Sequence, residues 1–130
     1  MTHLNVFVSH FLLLPELEFS GSRRLYHWGH EIQASKRRAE AEYCPRCANP
    51  SSTTYDCRTV TLKDHPVRDK LVVLKVRKRR YLCRVCKKPF TEVLPGVRKG
   101  DKCTESYRTG LRWAAENFSD LKKVQRYFRC

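Results

Sequence analysis

The sequence predicts a small α+β protein in which β strands come first and a pair of short helices follows. Two Cys-x-x-Cys pairs, Cys44 with Cys47 and Cys83 with Cys86, are separated by a long spacer. Apolar and polar residues alternate within that spacer with a period of two, which is typical of strands. Beyond about residue 100 the spacing of apolar residues becomes helical, so the chain is expected to end in helices.

Residues 1–43 are predicted to contain β elements. Ala, Glu, Lys and Arg favour helix there by propensity, but apolar residues alternate at period two between positions 32 and 43. This spacing favours a strand that leads into the first cysteine pair. Gly21 and Gly29 are expected to form turns. The five histidines lack ligand spacing and are interpreted as surface or packing residues.

The N-terminus does not have the pattern of a secretory signal. Its apolar run, residues 6–14, contains Ser9 and His10 and has no basic segment before it. The run is also too short to span a bilayer. We therefore expect a soluble protein of a reducing compartment, in which paired cysteines bind metal instead of forming disulfides.

The two cysteine pairs predict one structural zinc ion. Two intervening residues form a tight turn that directs both thiolates at one ion, and two such knuckles complete a tetrahedral shell. Metal binding would also contribute folding free energy to a chain of 130 residues with a limited core. Reduced thiols without a metal and a thioredoxin-like redox pair are the alternatives, but the thioredoxin-like unit has one pair at the start of a helix. The predicted ligands are Cys44, Cys47, Cys83 and Cys86; the predicted free thiols are Cys57, Cys103 and Cys130.

The spacer between the knuckles is predicted to be β. Apolar and polar residues alternate over residues 58–62, and residues 64–70, which include Pro66, are interpreted as a turn. The following segment, LVVLKVRKRRYLC, is rich in β-branched residues and is predicted to be a strand that ends at Cys83. Phe90 is expected to pack beneath the second knuckle. Residues 44–100 are therefore predicted to form a four-cysteine zinc ribbon.

A large basic excess indicates a nucleic acid partner. The chain has 27 Lys and Arg against 13 Asp and Glu, a net charge of +14, and the phosphate backbone is the commonest partner for such a surface. A solvated surface is the alternative; an anionic membrane is disfavoured because no amphipathic helix accompanies the charge. The predicted contacts of the ribbon are Lys75, Arg77, Lys78, Arg79, Arg80, Arg84, Lys87 and Lys88.

The strand places these cations on both of its faces. The odd-numbered cations from Lys75 to Arg79 are expected to share one face with Tyr81, while Lys78 and Arg80 project from the other. A strand anchored by zinc has a fixed backbone, so less conformational entropy is lost when its side chains contact phosphate.

Residues 101–130 are predicted to form a helical pair that resembles the start of a helix-turn-helix. Thr104 is the expected N-cap of ESYRTGLRWAAENF, and Ser119 with Asp120 caps LKKVQRYF. Gly110 is unfavourable inside the first helix. An apolar stripe at helical spacing contains Tyr107, Leu111, Trp113, Ala114 and Phe118. Further predicted nucleic acid contacts are Lys122, Lys123 and Arg126.

Three stretches, YCPRC, YDCRTVTLKDHPV and LKVRKRRYLCRVCKKPFTEVLP, resemble the N-terminal region of ISL3-family bacterial insertion-sequence transposases. Members share a CPxC knuckle, an R-x-V-x-DLP turn, a basic strand ending RRYxCxxCxxxFTE, and a helix-turn-helix. His65 stands where leucine is usual. The resemblance covers residues 43–130 well and the preceding ones loosely. The matched residues beyond the first knuckle are Asp64, Pro66, Arg79, Arg80, Tyr81, Cys83, Cys86, Phe90, Thr91 and Glu92.

The resemblance implies zinc-dependent binding of duplex DNA at the terminal inverted repeats of a transposon, in the bacterial cytoplasm near the nucleoid. Such transposases carry a downstream catalytic domain with an acidic, metal-binding triad. We expect this chain to be a detached or truncated DNA-binding portion without enzymatic activity. The acidic residues expected in turns or caps, and not in a catalytic site, are Asp56, Asp64, Asp69, Asp101 and Asp120.

An RNA-binding or protein-docking zinc ribbon is the alternative function, because fold does not determine function. Tyr55 and Tyr81 are candidates for stacking on unpaired bases. A zinc deaminase would need H-x-E together with P-C-x-x-C. Neither pattern occurs, and Pro45 follows Cys44 instead of preceding it.

Overall fold

The computed structural model describes residues 16–25, 27, 29–37, 41–94 and 96–129, and within them the fold is a strand-rich α+β arrangement. His3, His10, the apolar run 6–14 and Cys130 lie outside the described residues. The strands are β1 (Leu17–Leu25), β2 (Gly29–Lys36), β3 (Glu42–Tyr43), β4 (Pro50–Ser51), β5 (Thr54–Val67), β6 (Lys70–Leu82) and β7 (Pro89–Thr91). The helices are α1 (Glu105–Asn117) and α2 (Leu121–Phe128). No helix among these residues is both long and apolar enough to cross a membrane.

The main sheet is built around β6. Its order is β1-β2-β6-β5, and β7 pairs with the end of β6. β5 and β1 run antiparallel to their neighbours, whereas β2 pairs with β6 in parallel. Residues 71–74 of β6 are buried on both faces, as expected for a central strand of continuous Leu and Val.

The turn between β5 and β6 is shorter than predicted. β5 continues to Val67, and only Arg68 and Asp69 form the turn, both with positive φ, as a two-residue hairpin with the twist of the strands requires. The predicted turn over residues 64–70 is therefore wrong over residues 64–67, which belong to β5, and at Lys70, which begins β6. Pro66 is accommodated at a bulge between Asp64 and Val67 in an edge strand, where no ladder N–H is needed.

Two apolar clusters lie on opposite faces of the sheet. One contains Leu74 and Val76 of β6, both fully buried, with Leu62 of β5 and Ala34 of β2. The other joins Leu71 and Val73 to the two helices and is completed by Tyr107, Ala114, Val124 and Phe128. The helices therefore cover one face of the sheet at the end distant from the cysteines. We call this the helix face and the other the open face.

Thr104 connects the sheet to α1. It caps the helix as predicted, and its hydroxyl accepts a hydrogen bond from the Tyr107 N–H, 3.2 Å. The same hydroxyl donates to the Asp64 carboxylate, 2.7 Å away, inside β5. Asp64 is thus a buried strand residue, and the prediction of a turn or cap position for it was wrong, as it was for Asp56, also in β5. Burial raises the pKa of Asp64, and the Thr104 hydroxyl opposes that shift.

Replacing Thr104 by Ala is expected to destabilise the protein by about 2 kcal/mol, because the helix loses its cap and a buried carboxylate loses its hydrogen bond. Urea unfolding followed by circular dichroism measures the change. Thr109→Ala, at an exposed site in α1, is the matched control. Equal midpoints for the two variants would contradict the structural role of Thr104.

Two glycines lie close to side chains of neighbouring strands. A Cβ at Gly110 would lie 2.3 Å from the His65 ring, so the glycine lets α1 pack against β5. His65 packs edge-on against Phe128, which confirms its interpretation as a packing residue. Gly21 lies within β1 and Gly29 begins β2, so the prediction of turns at these two residues was wrong. A Cβ at Gly21 would lie 2.7 Å from the Gln33 side chain, at a bulge in β1.

Candidate metal centre and nucleic acid interface

The two cysteine pairs form knuckles with the same backbone geometry. In the first, Ala48 donates its N–H to the Cys44 carbonyl, 2.8 Å, and in the second Lys87 donates to the Cys83 carbonyl, 2.9 Å. Ala48 and Lys87 both have φ of 60°, a left-handed conformation that closes each turn. Strands flank each knuckle: the short β3 and β4 flank the first, while the end of the long β6 and the short β7 flank the second. The two pairs are therefore equivalent chelating turns.

The four sulfur atoms lie together as a tetrahedral metal site requires. The Sγ atoms of Cys44, Cys47, Cys83 and Cys86 all lie within 4.8 Å of one another. The Cys47 and Cys83 sulfurs are 3.5 Å apart, close to the roughly 3.8 Å expected between ligands whose Zn–S bonds are about 2.3 Å long. Cys44 and Cys83 are buried, and the other two are half-buried. The donor set and its spacing fit one structural zinc ion.

Hydrogen bonds prepare the cluster for a cation. The side chain and backbone of Asn49 lower the pKa of Cys47 to about 6. The pKa of Cys86 is raised to about 12, first because its thiol faces that of Cys47 and then by burial. Without a metal, the cluster would thus hold protons that a divalent cation replaces on binding, so metal affinity rises with pH.

Packing and hydrogen bonds hold the two knuckles against each other. Tyr81 and Phe90 stack beneath the cysteines with ring centroids 5.9 Å apart, which confirms the predicted position of Phe90. Arg46 of the first knuckle donates to the carbonyls of Lys88 and Pro89 beside the second, at 3.2 and 3.3 Å. The sequence prediction did not identify this role for Arg46. Its position between two ligand cysteines was the available signal.

Arg79, a predicted nucleic acid contact, interacts with an internal carboxylate. Glu92 lies beside the part of β6 at which its pairing with β2 ends and its pairing with β7 begins. The Glu92 Oε1 accepts a hydrogen bond from the Arg79 backbone N–H at 2.9 Å. The Arg79 guanidinium lies 3.6 Å from the other carboxylate oxygen and donates to the Lys36 carbonyl at 3.0 Å. The Glu92 side chain is fully buried. Burial raises its pKa, and the N–H and charge of Arg79 oppose that shift.

Arg80 is also paired within the chain. Its side chain projects from the open face, forms an ion pair with Asp56 at 3.2 Å, and lies over the Tyr55 ring, 5.2 Å from its centroid. Only 14% of the Arg80 side chain is exposed. Lys75, on the helix face, forms a longer ion pair of 3.7 Å with the buried Glu31. The charged stretch is thus partly neutralised by acids on neighbouring strands.

Most of the other predicted contacts have no ion-pair partner within the described residues. Arg84 donates to the Thr53 hydroxyl at 3.1 and 3.3 Å, and this leaves its charge uncompensated. Arg58 of β5, which the sequence prediction did not include, is exposed, and no acid among the described residues pairs with it. The remaining uncompensated cations of the predicted set are Arg77, Lys78, Lys87, Lys88, Lys122, Lys123 and Arg126.

Residues 40–86, about a third of the chain, match a family model described as the zinc-finger of transposase IS204/IS1001/IS1096/IS1165. The match includes all four clustered cysteines. It identifies the region as one similar to a transposase zinc-binding region, which is a zinc finger and not a catalytic domain, and it supports a structural zinc. No significant match to the chain is found among curated proteins or solved structures.

Proposed function

We propose that this protein binds duplex DNA in a zinc-dependent manner and that it recognises the ends of a transposon. The single observation that carries the proposal is the four-cysteine cluster at the end of the basic strand β6, within a region that matches a transposase zinc finger. Zinc fixes the strand end, and cations without acid partners lie on the strand and on the second knuckle. Phosphate contacts by such cations release counterions and supply affinity.

The helical pair is part of the proposed interface. α1 and α2 are separated by only three residues, and α2 presents three exposed cations. We propose that this pair acts as part of a helix-turn-helix, with Lys122, Lys123 and Arg126 near the DNA backbone. Division of the chain into segments 1–43, 44–100 and 101–130 is likewise a proposal.

The two tyrosines predicted as candidates for base stacking offer little free ring surface; the exposed aromatic residues elsewhere in the described part of the chain are Tyr43, Trp113, Phe118 and Tyr127. Recognition of single strands requires exposed rings on which unpaired bases stack. Tyr81 is buried against Phe90 at 3% exposure, so it is not accessible to a base. Tyr55 is exposed, but one of its faces lies against Arg80.

Fluorescence anisotropy of labelled duplexes tests the proposal. We expect the zinc-loaded protein to bind duplexes from the DNA that flanks its gene more tightly than scrambled duplexes, with affinity that falls as salt rises. A chelator is expected to abolish binding. Tighter binding of single-stranded RNA would favour the RNA alternative, and no salt-dependent binding of either would favour protein docking.

A further inference from the structure

Two cations lie directly opposite each other on neighbouring strands beside the zinc centre. Arg58 of β5 is the register partner of Lys78 of β6. Like charges at directly opposed positions destabilise an antiparallel pair. In the part of the chain that the structure describes, neither side chain forms an ion pair or a hydrogen bond. The structure thus keeps two repelling charges side by side.

The two cations that follow Lys78 along β6 have acid partners, whereas Arg77, directly before it, has none among the described residues. Arg79 has Glu92 and Arg80 has Asp56, so both of these guanidinium groups are compensated. Asp56 lies opposite Arg80, only two residues from Arg58, and is engaged there. Acids therefore neutralise part of the basic stretch and leave Arg58 and Lys78 without a counter-charge.

The pair is held on a rigid and accessible part of the open face. Val76, two residues before Lys78 on the same face, is fully buried in the core, so the backbone beneath the pair is fixed. Arg58 is exposed, and Lys78 is half-buried. The helices pack against the opposite face and do not cover this position. An anion thus has access to both groups.

We propose that Arg58 and Lys78 together bind one phosphate group of a nucleic acid backbone. This inference rests on the proposed function and places a contact with the nucleic acid backbone on the open face of the sheet. A phosphate between the two cations removes their repulsion. The guanidinium donates in a fork and the ammonium acts as a point charge. Arg79 and Arg80 follow Lys78 directly in sequence, but in this proposal they stabilise the fold through their ion pairs and do not bind the phosphate.

The test compares two variants that remove the same charge from the same hairpin. Arg58→Gln with Lys78→Gln deletes the pair, while Arg68→Gln with Lys70→Gln deletes two exposed cations at the turn, at the opposite end. Binding of a labelled mixed-sequence duplex by the zinc-loaded full chain is measured over a salt series. The pair variant is expected to bind more weakly, with a slope of log K against log salt that is shallower by about 1. The turn variant is expected to keep the wild-type slope.

The outcomes separate this inference from the proposed function. If the wild type binds duplex DNA and the pair variant shows the same slope of log K against log salt, the phosphate site is overturned and the proposed function stays in place. Equal changes for both variants would show that only net charge matters, and would also overturn the site. Absence of salt-dependent duplex binding by the wild type would overturn the proposed function. Without DNA, the pair variant is expected to melt no lower than the wild type, because a repulsion is removed; a clearly lower melting temperature would assign the pair a structural role instead.

Discussion

Cys83→Ser is expected to release the zinc ion and unfold the ribbon. Cys83 is buried, stands at the end of the central strand, and accepts the Cys86 N–H at its sulfur. Structural zinc contributes roughly 10 kcal/mol or more of binding free energy, which is comparable to the entire stability of a typical domain at about 5–15 kcal/mol. Zinc content by elemental analysis and thermal unfolding by circular dichroism measure the two effects.

Cys57→Ser is the matched control. Cys57 is exposed in β5 and is not among the four clustered cysteines, so the same chemical change there is expected to keep one zinc ion per chain and the wild-type melting temperature. One retained zinc ion and an unchanged fold in Cys83→Ser would disprove the four-thiolate site. Addition of a chelator to the wild type is expected to reproduce the unfolding of Cys83→Ser.

Arg79→Ala is expected to lower the free energy of unfolding by about 3 kcal/mol, because it leaves the Glu92 carboxylate buried without a counter-charge. The Lys36 carbonyl at the end of β2 also loses the hydrogen bond that the Arg79 guanidinium donates to it. Arg77→Ala is expected to change stability little, because Arg77 lies two residues away on the same face but is exposed and has no ion pair with any described residue. Urea unfolding of the zinc-loaded proteins gives both values.

A second substitution isolates the electrostatic part of that loss. Glu92→Gln removes the buried charge but keeps an oxygen that can accept the Arg79 backbone N–H. The double variant with Arg79→Ala and Glu92→Gln is therefore expected to be more stable than Arg79→Ala alone. If Arg79→Ala is as stable as the wild type, Arg79 is a surface cation, as the charge run alone suggests.

Local patterns in the sequence were sufficient to predict the metal centre and the nearby elements. Two Cys-x-x-Cys pairs specify their turns through residues that are adjacent in the chain, and the observed cluster follows. The β-branched run before Cys83 and the capping residues Thr104 and Asp120 also act over a few residues, and β6, α1 and α2 form where predicted.

Features that depend on distant residues could not be predicted. The charge run from Lys75 to Lys88 gives no indication of which cations meet an acid, because Asp56 and Glu92 become neighbours of Arg80 and Arg79 only through strand pairing. The segment around Asp64 has the composition of a turn. In the structure Asp64 is buried, and its carboxylate accepts a hydrogen bond from Thr104, which lies far along the chain. The parallel pairing of β2 with β6 likewise has no local signal.

The two-residue turn at Arg68 and Asp69 sets the order in which the sheet can assemble. It joins β5 to β6 with the shortest possible loop, so this hairpin forms from local contacts and with little entropy of loop closure. β2 pairs with β6 in parallel and must wait for a long segment to close. The β5–β6 hairpin is thus expected to act as the folding template, onto which β2 docks in parallel together with its antiparallel partner β1.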